Sequence, residues 1–173
     1  MLLPPIKLDD VLNALLAYHK GANVDLIRRA YLHALQKHDG SKRESGEDYI
    51  VHPLHVAKIL TDLKLDEVAI SAALLHDTQM ESPESEEKLV EWFGKSVAGV
   101  VMGITRLAKV NFVSTEAGQA DAFRKMLLSL SKDVRVVLVR LADRLHNMRT
   151  IEFLPEDRAA AVAREVQEIY APL

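Results

Sequence analysis

Apolar residues recur at three- and four-residue intervals through almost the whole chain, and that period restricts the fold to packed helices. Leu8, Val11, Leu12, Leu15 and Leu16 mark a first amphipathic stretch. A second covers about residues 24–38 with Ile27, Tyr31, Ala34 and Leu35 on one side, Asn23 as its N-cap and Gly40 as its stop. A charged, Gly- and Ser-rich segment, 39–51, reads as a loop. His52-Pro53 then opens a third helix, because proline suits a first turn. Its core face is Val56, Ile59, Leu60 and Leu63. A fourth spans about 66–77 through Val68, Ala72, Ala73 and Leu75. Residues 78–87 read as a polar loop containing Pro83. They lead to a helix at Leu89, Trp92 and Phe93 that Gly94 ends, and to another over 96–107. After a connection near 111–117 come two long helices, about 116–131 and 133–149, and a last one after Pro155. The run VRVVLV is β-branched, yet Val134, Val137, Leu138 and Leu141 keep the helical period. The expectation is a single all-α domain over residues 1–173.

Composition narrows the chemistry. The chain has no cysteine, which removes disulfides and thiolate metal sites, so a metal must sit on His, Asp or Glu. Such a donor set favours first-row ions over calcium. A net charge of −3 gives no general pull toward nucleic acid, and no direct nucleic-acid binding is expected. The opening MLLPPIK lacks the basic lead and long apolar core of a signal peptide. No run reaches the ~20 apolar residues of a membrane span. The expectation is a soluble cytoplasmic protein. The apolar finish, EIYAPL, reads as a piece cut from a longer chain.

Four residues could hold an ion. His76-Asp77 ends a buried-looking helix, AISAALL, where two adjacent side chains can still converge; alone, the pair also reads as a capped helix end. His52 precedes Pro53, where the backbone is restricted. Asp143 lies inside an amphipathic helix, a poor interior position for Asp, and near arginines that would equally make it an ordinary ion pair. Two His and two Asp would give a mixed N/O centre able to activate water and polarise a phosphoryl oxygen. His19, His33, His38, His55 and His146 are weaker candidates, by default surface, core or support for the ligands.

HDGSKRESGEDYIVHP, AALLHDT, FGKSVAGVVMGITRLAKV, AFRKMLLSLSKDVRVVLVRLADRLHNMRT and EIYAPL, in that order, resemble the N-terminal hydrolase region of the RelA/SpoT (Rel) family over about residues 26–173. The resemblance implies an all-α HD-superfamily fold, with manganese bound by His52, His76, Asp77 and Asp143. It also implies the stringent-response reaction that removes the 3′-pyrophosphate of guanosine tetra- and pentaphosphate, (p)ppGpp, to leave GDP or GTP. It places Arg43 on or beside the guanine, Ser45 in the same loop, and Asn147 and Thr150 in the nucleotide pocket. Arg140, Arg144 and Lys125 become phosphate or structural partners. Synthetase and regulatory domains would follow beyond residue 173.

Two positions depart from the family pattern. Active hydrolases of the family carry a Glu-Asp pair shortly after His-Asp, thought to position or deprotonate the attacking water. An ungapped comparison sets Met80 against the Glu and Glu81 against the Asp. A thioether accepts no proton, and a general base contributes ~10²–10⁴-fold. Glu44 stands where the family often has lysine. Two readings follow: a hydrolase with a modified base, Glu81, or a metal- and nucleotide-binding regulatory module with weakened turnover.

Overall fold

The computed structural model describes residues 3–81, 83–108 and 132–172, together with positions 118, 124, 125 and 128; for Glu81 it describes the backbone alone. The connection expected near 111–117 and the helix expected over 116–131 lie outside the described residues, those four positions apart.

The described chain is helical, as its period predicts. Helix α1 (Leu8–Tyr18) starts where Asp10 accepts a hydrogen bond from the Lys7 amide at 2.8 Å. Helix α2 (Val24–Lys37) starts at Asn23, whose side chain accepts from the Leu26 amide at 3.0 Å. Helix α3 (Val51–Asp62) holds Pro53 in its first turn. The loop before it is pinned by an isolated antiparallel bridge between Lys42 and Asp48. Helix α4 (Glu67–Leu75) is capped by Asp66, which accepts from Ala69. Every residue from Ala69 to Leu75 is buried, so α4 is apolar all round and forms the centre of the bundle.

Two boundaries differ from expectation. Residues 78–81 form a short helix, α5 (Thr78–Glu81), where a loop was expected. The Thr78 hydroxyl donates to the Leu75 carbonyl at 2.7 Å and the Met80 amide to the Asp77 carbonyl at 2.9 Å, which satisfies the turns that polar composition had suggested were open. The helices expected on either side of Gly94 run end to end as α6 (Glu86–Ala108), broken at Gly94, whose φ of 83° is the left-handed stop expected there, with no loop after it.

Helix α7 (Val134–Arg149) begins at Asp133, whose side chain accepts from the Arg135 amide. A 3₁₀ turn (Ile151–Phe153), helix α8 (Glu156–Glu165, after Pro155) and a wider π turn (Val166–Tyr170) complete the described chain. Around α4 pack α2, α3, α6 and α7. Leu15, Ile27, Leu60, Ile70, Leu74, Leu75, Leu89 and Ile104 fill the core between them. No described helix is long and apolar enough to cross a membrane.

The α6–α7 crossing depends on Gly103. A Cβ there would lie 2.6 Å from Cγ2 of buried Val136. Gly103→Ala is therefore expected to lower stability by about 1–3 kcal/mol through overpacking, against a helix-propensity gain of ~1 kcal/mol. Urea denaturation checks this, and adding Val136→Ala should make the pair less destabilising than the sum of the two single changes.

Candidate metal centre

Four side chains from three helical segments converge at the heart of the bundle. His52 enters from the first turn of α3, His76 and Asp77 from the end of α4, and Asp143 from the middle of α7. His52 Nε2 and His76 Nε2 are 3.3 Å apart. Asp143 Oδ1 lies 3.3 Å from the first and 3.8 Å from the second. Asp77 Oδ1 is 3.2 Å from His76 Nε2, and its Oδ2 is 3.5 Å from His52 Nε2. One donor atom each from His52, His76 and Asp143 falls within a 4.8 Å span. Asp77 is the most exposed of the four, at 21% of its side chain.

The spacing suits a shared cation. Donors about 2.1 Å from one ion stand about 3.0–3.4 Å from their neighbours in octahedral or tetrahedral arrangements. Two imidazole nitrogens at 3.3 Å also repel unless a proton or a cation lies between them. The outer atoms are arranged to match. His76 Nδ1 donates to the Ala73 carbonyl at 2.7 Å, which turns Nε2 toward the centre. Arg140 Nη1 donates to Asp143 Oδ2 at 2.8 Å, so Oδ1 is the oxygen facing the histidines, and Asn147 Nδ2 donates to that oxygen at 2.8 Å. The Tyr49 hydroxyl donates to Asp77 Oδ2 at 3.0 Å.

Charge is balanced by these contacts. Burial pushes His76 down, but the charge of Asp77 and the hydrogen bond and charge of Asp143 outweigh it and raise its pKa to about 9. Burial pushes the Asp143 carboxyl up, yet hydrogen bonds to His52 and His76 and the charges of His76 and Arg140 hold it well below the usual carboxylate range. Asp77 is lowered likewise, chiefly by His76 and His52 against its burial.

The centre forms the floor of a cavity of about 450 Å³. The four residues expected around a nucleotide all line it. Arg43 Nη2 reaches Asn147 Oδ1 at 3.2 Å and Thr150 Oγ1 at 3.4 Å, joining the 39–50 loop to the end of α7. The Ser45 hydroxyl donates to Glu47 at 2.9 Å. Arg140 and Arg144 also line the cavity. Arg140 is committed to Asp143 and, at 3.4 Å, to the Tyr170 hydroxyl, which makes it structural; Arg144 pairs with Glu165 at 3.3 Å. Lys125 is exposed and is not among the described residues that line the cavity. Glu44 is occupied by Arg158, 2.6 Å away across the cavity rim. Met80 lines the cavity, while the Glu81 side chain lies outside the described residues.

Sequence reasoning missed one buttress, Tyr49, and left the other, His146, among the weaker candidates. Each sits three residues from a candidate ligand, Tyr49 before His52 and His146 after Asp143. On α7 that spacing puts His146 on the face that carries Asp143, a signal that was available. His146 is buried, with its Nδ1 2.8 Å from His52 Nδ1. Burial, then the charges of His52, Arg43 and His55, push its pKa down to about 2, so it is neutral. His55 stacks on it at 5.1 Å. His38 stacks on Tyr49, His33 packs against Trp92 and Phe93, and His19 pairs with Glu67.

A helical bundle that gathers an adjacent His-Asp pair with one further His and one further Asp has the architecture of the HD class. The chain belongs to the HD domain family, whose profile matches residues 30–173. Its sequence relatives are RelA/SpoT proteins. A GTP pyrophosphokinase of Myxococcus xanthus is 48% identical over 159 residues, an alignment that covers 90% of this chain and 21% of the relative. The bifunctional (p)ppGpp synthase/hydrolase SpoT of Escherichia coli (strain K12) is 47% identical over 147 residues, covering 85% of this chain and 21% of that protein. The chain thus spans about a fifth of the length of these curated relatives. Among solved structures, a metazoan ortholog of SpoT, described as hydrolysing ppGpp and acting in starvation responses, superposes with a TM-score of 0.63 at 23% identity over 83% of each chain, a likeness of fold.

Proposed function

We propose that this chain is a manganese-dependent (p)ppGpp hydrolase domain that releases the 3′-pyrophosphate to leave GDP or GTP in the stringent response. The observation that carries the reading is the pair of imidazole Nε2 atoms 3.3 Å apart, flanked by two carboxylates, on the floor of a cavity rimmed by arginines. Support comes from relatives named as (p)ppGpp synthase/hydrolase and as guanosine-3′,5′-bis(diphosphate) 3′-pyrophosphohydrolase. The domain, residues 1–173, belongs in this reading to a longer cytoplasmic protein whose synthetase and regulatory domains follow it.

His52, His76, Asp77 and Asp143 would hold Mn2+, which supplies the Lewis acid that phosphoryl chemistry needs. The protein's own groups do the rest. Arg43, braced by Asn147 and Thr150, presents its guanidinium to the guanine. Ser45 stands in the same loop, near the nucleotide. Arg144, on the cavity wall, is assigned to the negative charge that gathers on the leaving pyrophosphate. Glu81 is assigned the proton of the attacking water. Met80, beside it, carries the second reading, a regulatory module that binds metal and nucleotide with little turnover.

Incubation with ppGpp and Mn2+, following GDP and pyrophosphate, separates the two. Release above a His76→Ala control supports the enzyme; nucleotide binding by calorimetry without release supports the module.

Metal uptake should also depend on pH in a defined direction. The metal-free His76, with its pKa near 9, carries a proton that the ion must displace. Apparent Mn2+ affinity is therefore expected to rise about tenfold per pH unit between roughly pH 6.5 and 8.5, with about one proton released per ion. Calorimetry in buffers of different ionisation enthalpy measures both quantities, and an affinity flat across this range contradicts the assignment.

A further inference from the structure

The environment of His52 differs from that of His76 in a way that defines a role for His146. His76 donates its Nδ1 proton to a backbone carbonyl, a fixed acceptor with no proton of its own. His52 instead meets another imidazole, Nδ1 to Nδ1 at 2.8 Å. Two ring nitrogens at that distance share one proton. If His146 owns it, His52 must carry its own proton on Nε2, aimed at Asp143 and into the metal centre. If His52 owns it, Nε2 is bare and available to an ion. The tautomer of His146 thus decides whether His52 can act as a ligand.

We propose that His146 is a positioning residue that accepts the Nδ1–H of His52 and thereby holds its Nε2 lone pair toward the cation. The inference rests on the metal reading above and deepens it. Several features fit this one role. His146 and Asp143 share one face of α7, so the helix that delivers a carboxylate also delivers the acceptor. The His146 ring meets His52 edge-on, with centroids 4.7 Å apart and planes at 61°, so its nitrogen rather than its π face is presented. The near-parallel His55 ring behind it, at 27°, restricts rotation out of that pose. With Nδ1 as acceptor, the His146 proton sits on Nε2, which is buried and has no hydrogen-bond partner among the described residues. That position gains nothing from the proton, so the arrangement is set by what His52 requires rather than by what satisfies His146.

The test uses the intact chain and reads metal affinity rather than turnover. His146→Asn keeps an amide oxygen close to the place of Nδ1; His146→Leu keeps bulk and removes the acceptor. Mn2+ affinity is measured by competition with a chelator, and melting of the metal-free proteins is recorded in parallel. The expected result is a 10–100-fold loss of affinity in His146→Leu, with most of it recovered in His146→Asn, while the two variants melt alike without metal. Equal Mn2+ affinities in the two variants, whether like the parent or equally reduced, overturn the proposal. A parent chain that takes up no Mn2+ overturns the metal reading itself and this inference with it.

Discussion

Replacing Asp143 with asparagine is expected to remove tight Mn2+ binding, abolish turnover and destabilise the metal-free fold together. The side chain is almost wholly buried, with His52 and His76 on one oxygen and Arg140 on the other. Asparagine keeps the volume but removes the charge. Arg140 is itself buried, with Asp143 at 2.8 Å, the Tyr170 hydroxyl at 3.4 Å and the Glu165 carboxylate at 4.0 Å. Stripping one partner from a buried pair costs about 3–5 kcal/mol, because the other charge is left uncompensated. Tyr170 and Glu165 offset part of this, so urea denaturation of the metal-free variant should show a loss near the lower figure. Losing an orienting contact alone already weakens a metal site by about 10–100-fold, and losing a ligand should exceed that. A variant that holds Mn2+ as tightly as the parent removes Asp143 from the ligand set.

The second large effect runs toward higher activity. Met80→Glu combined with Glu81→Asp restores the acidic pair of the family pattern and is expected to raise the rate of ppGpp hydrolysis by about 10²–10⁴-fold if the parent lacks a competent base. Met80 is 50% exposed at the cavity edge, so a carboxylate there meets water rather than the core. Stability should therefore change by less than about 0.5 kcal/mol. Rates with saturating Mn2+ and ppGpp give the answer. If Glu81 already serves as base, the double variant will stay close to the parent rate, and Glu81→Gln in the parent background will lose the activity. If neither change moves the rate, the proton is handled elsewhere and the assignment of Glu81 fails.

How far the sequence can be read depends on the range over which each signal acts. Helix periods and caps are local: Asn23, Asp66 and Asp133 announce their helices because a side chain reaches only two or three residues along. Helix α5 was hidden because Thr78 and Gln79 look like loop residues, while the bonds that close the turn run back to Leu75 and Asp77. The convergence of His52, His76, Asp77 and Asp143 could not be derived from spacing, since it depends on how α3, α4 and α7 pack; residue type nominated the four, and the resemblance to a family joined them into one site. Arg140 shows the limit clearly. Its place three residues before Asp143 allowed a phosphate contact or an ion pair, and only burial decided for the ion pair. Glu44, which looks repulsive toward a polyphosphate in the sequence, is found paired with Arg158, a partner 114 residues away that no local pattern discloses.

The candidate ligands lie on helices that are remote in the chain, with His52 touching a residue 94 positions downstream. A cation on these donors therefore acts as a cross-link. It ties together elements about ninety residues apart, His52 on α3 and Asp143 on α7. Because the ion binds the folded arrangement, each tenfold excess over its dissociation constant adds about 1.4 kcal/mol to the stability of the bundle. The loaded and stripped proteins would then differ in how readily α7 parts from α3 and α4, and chelation would loosen the same helix that carries Asp143, His146 and Asn147 to the cavity.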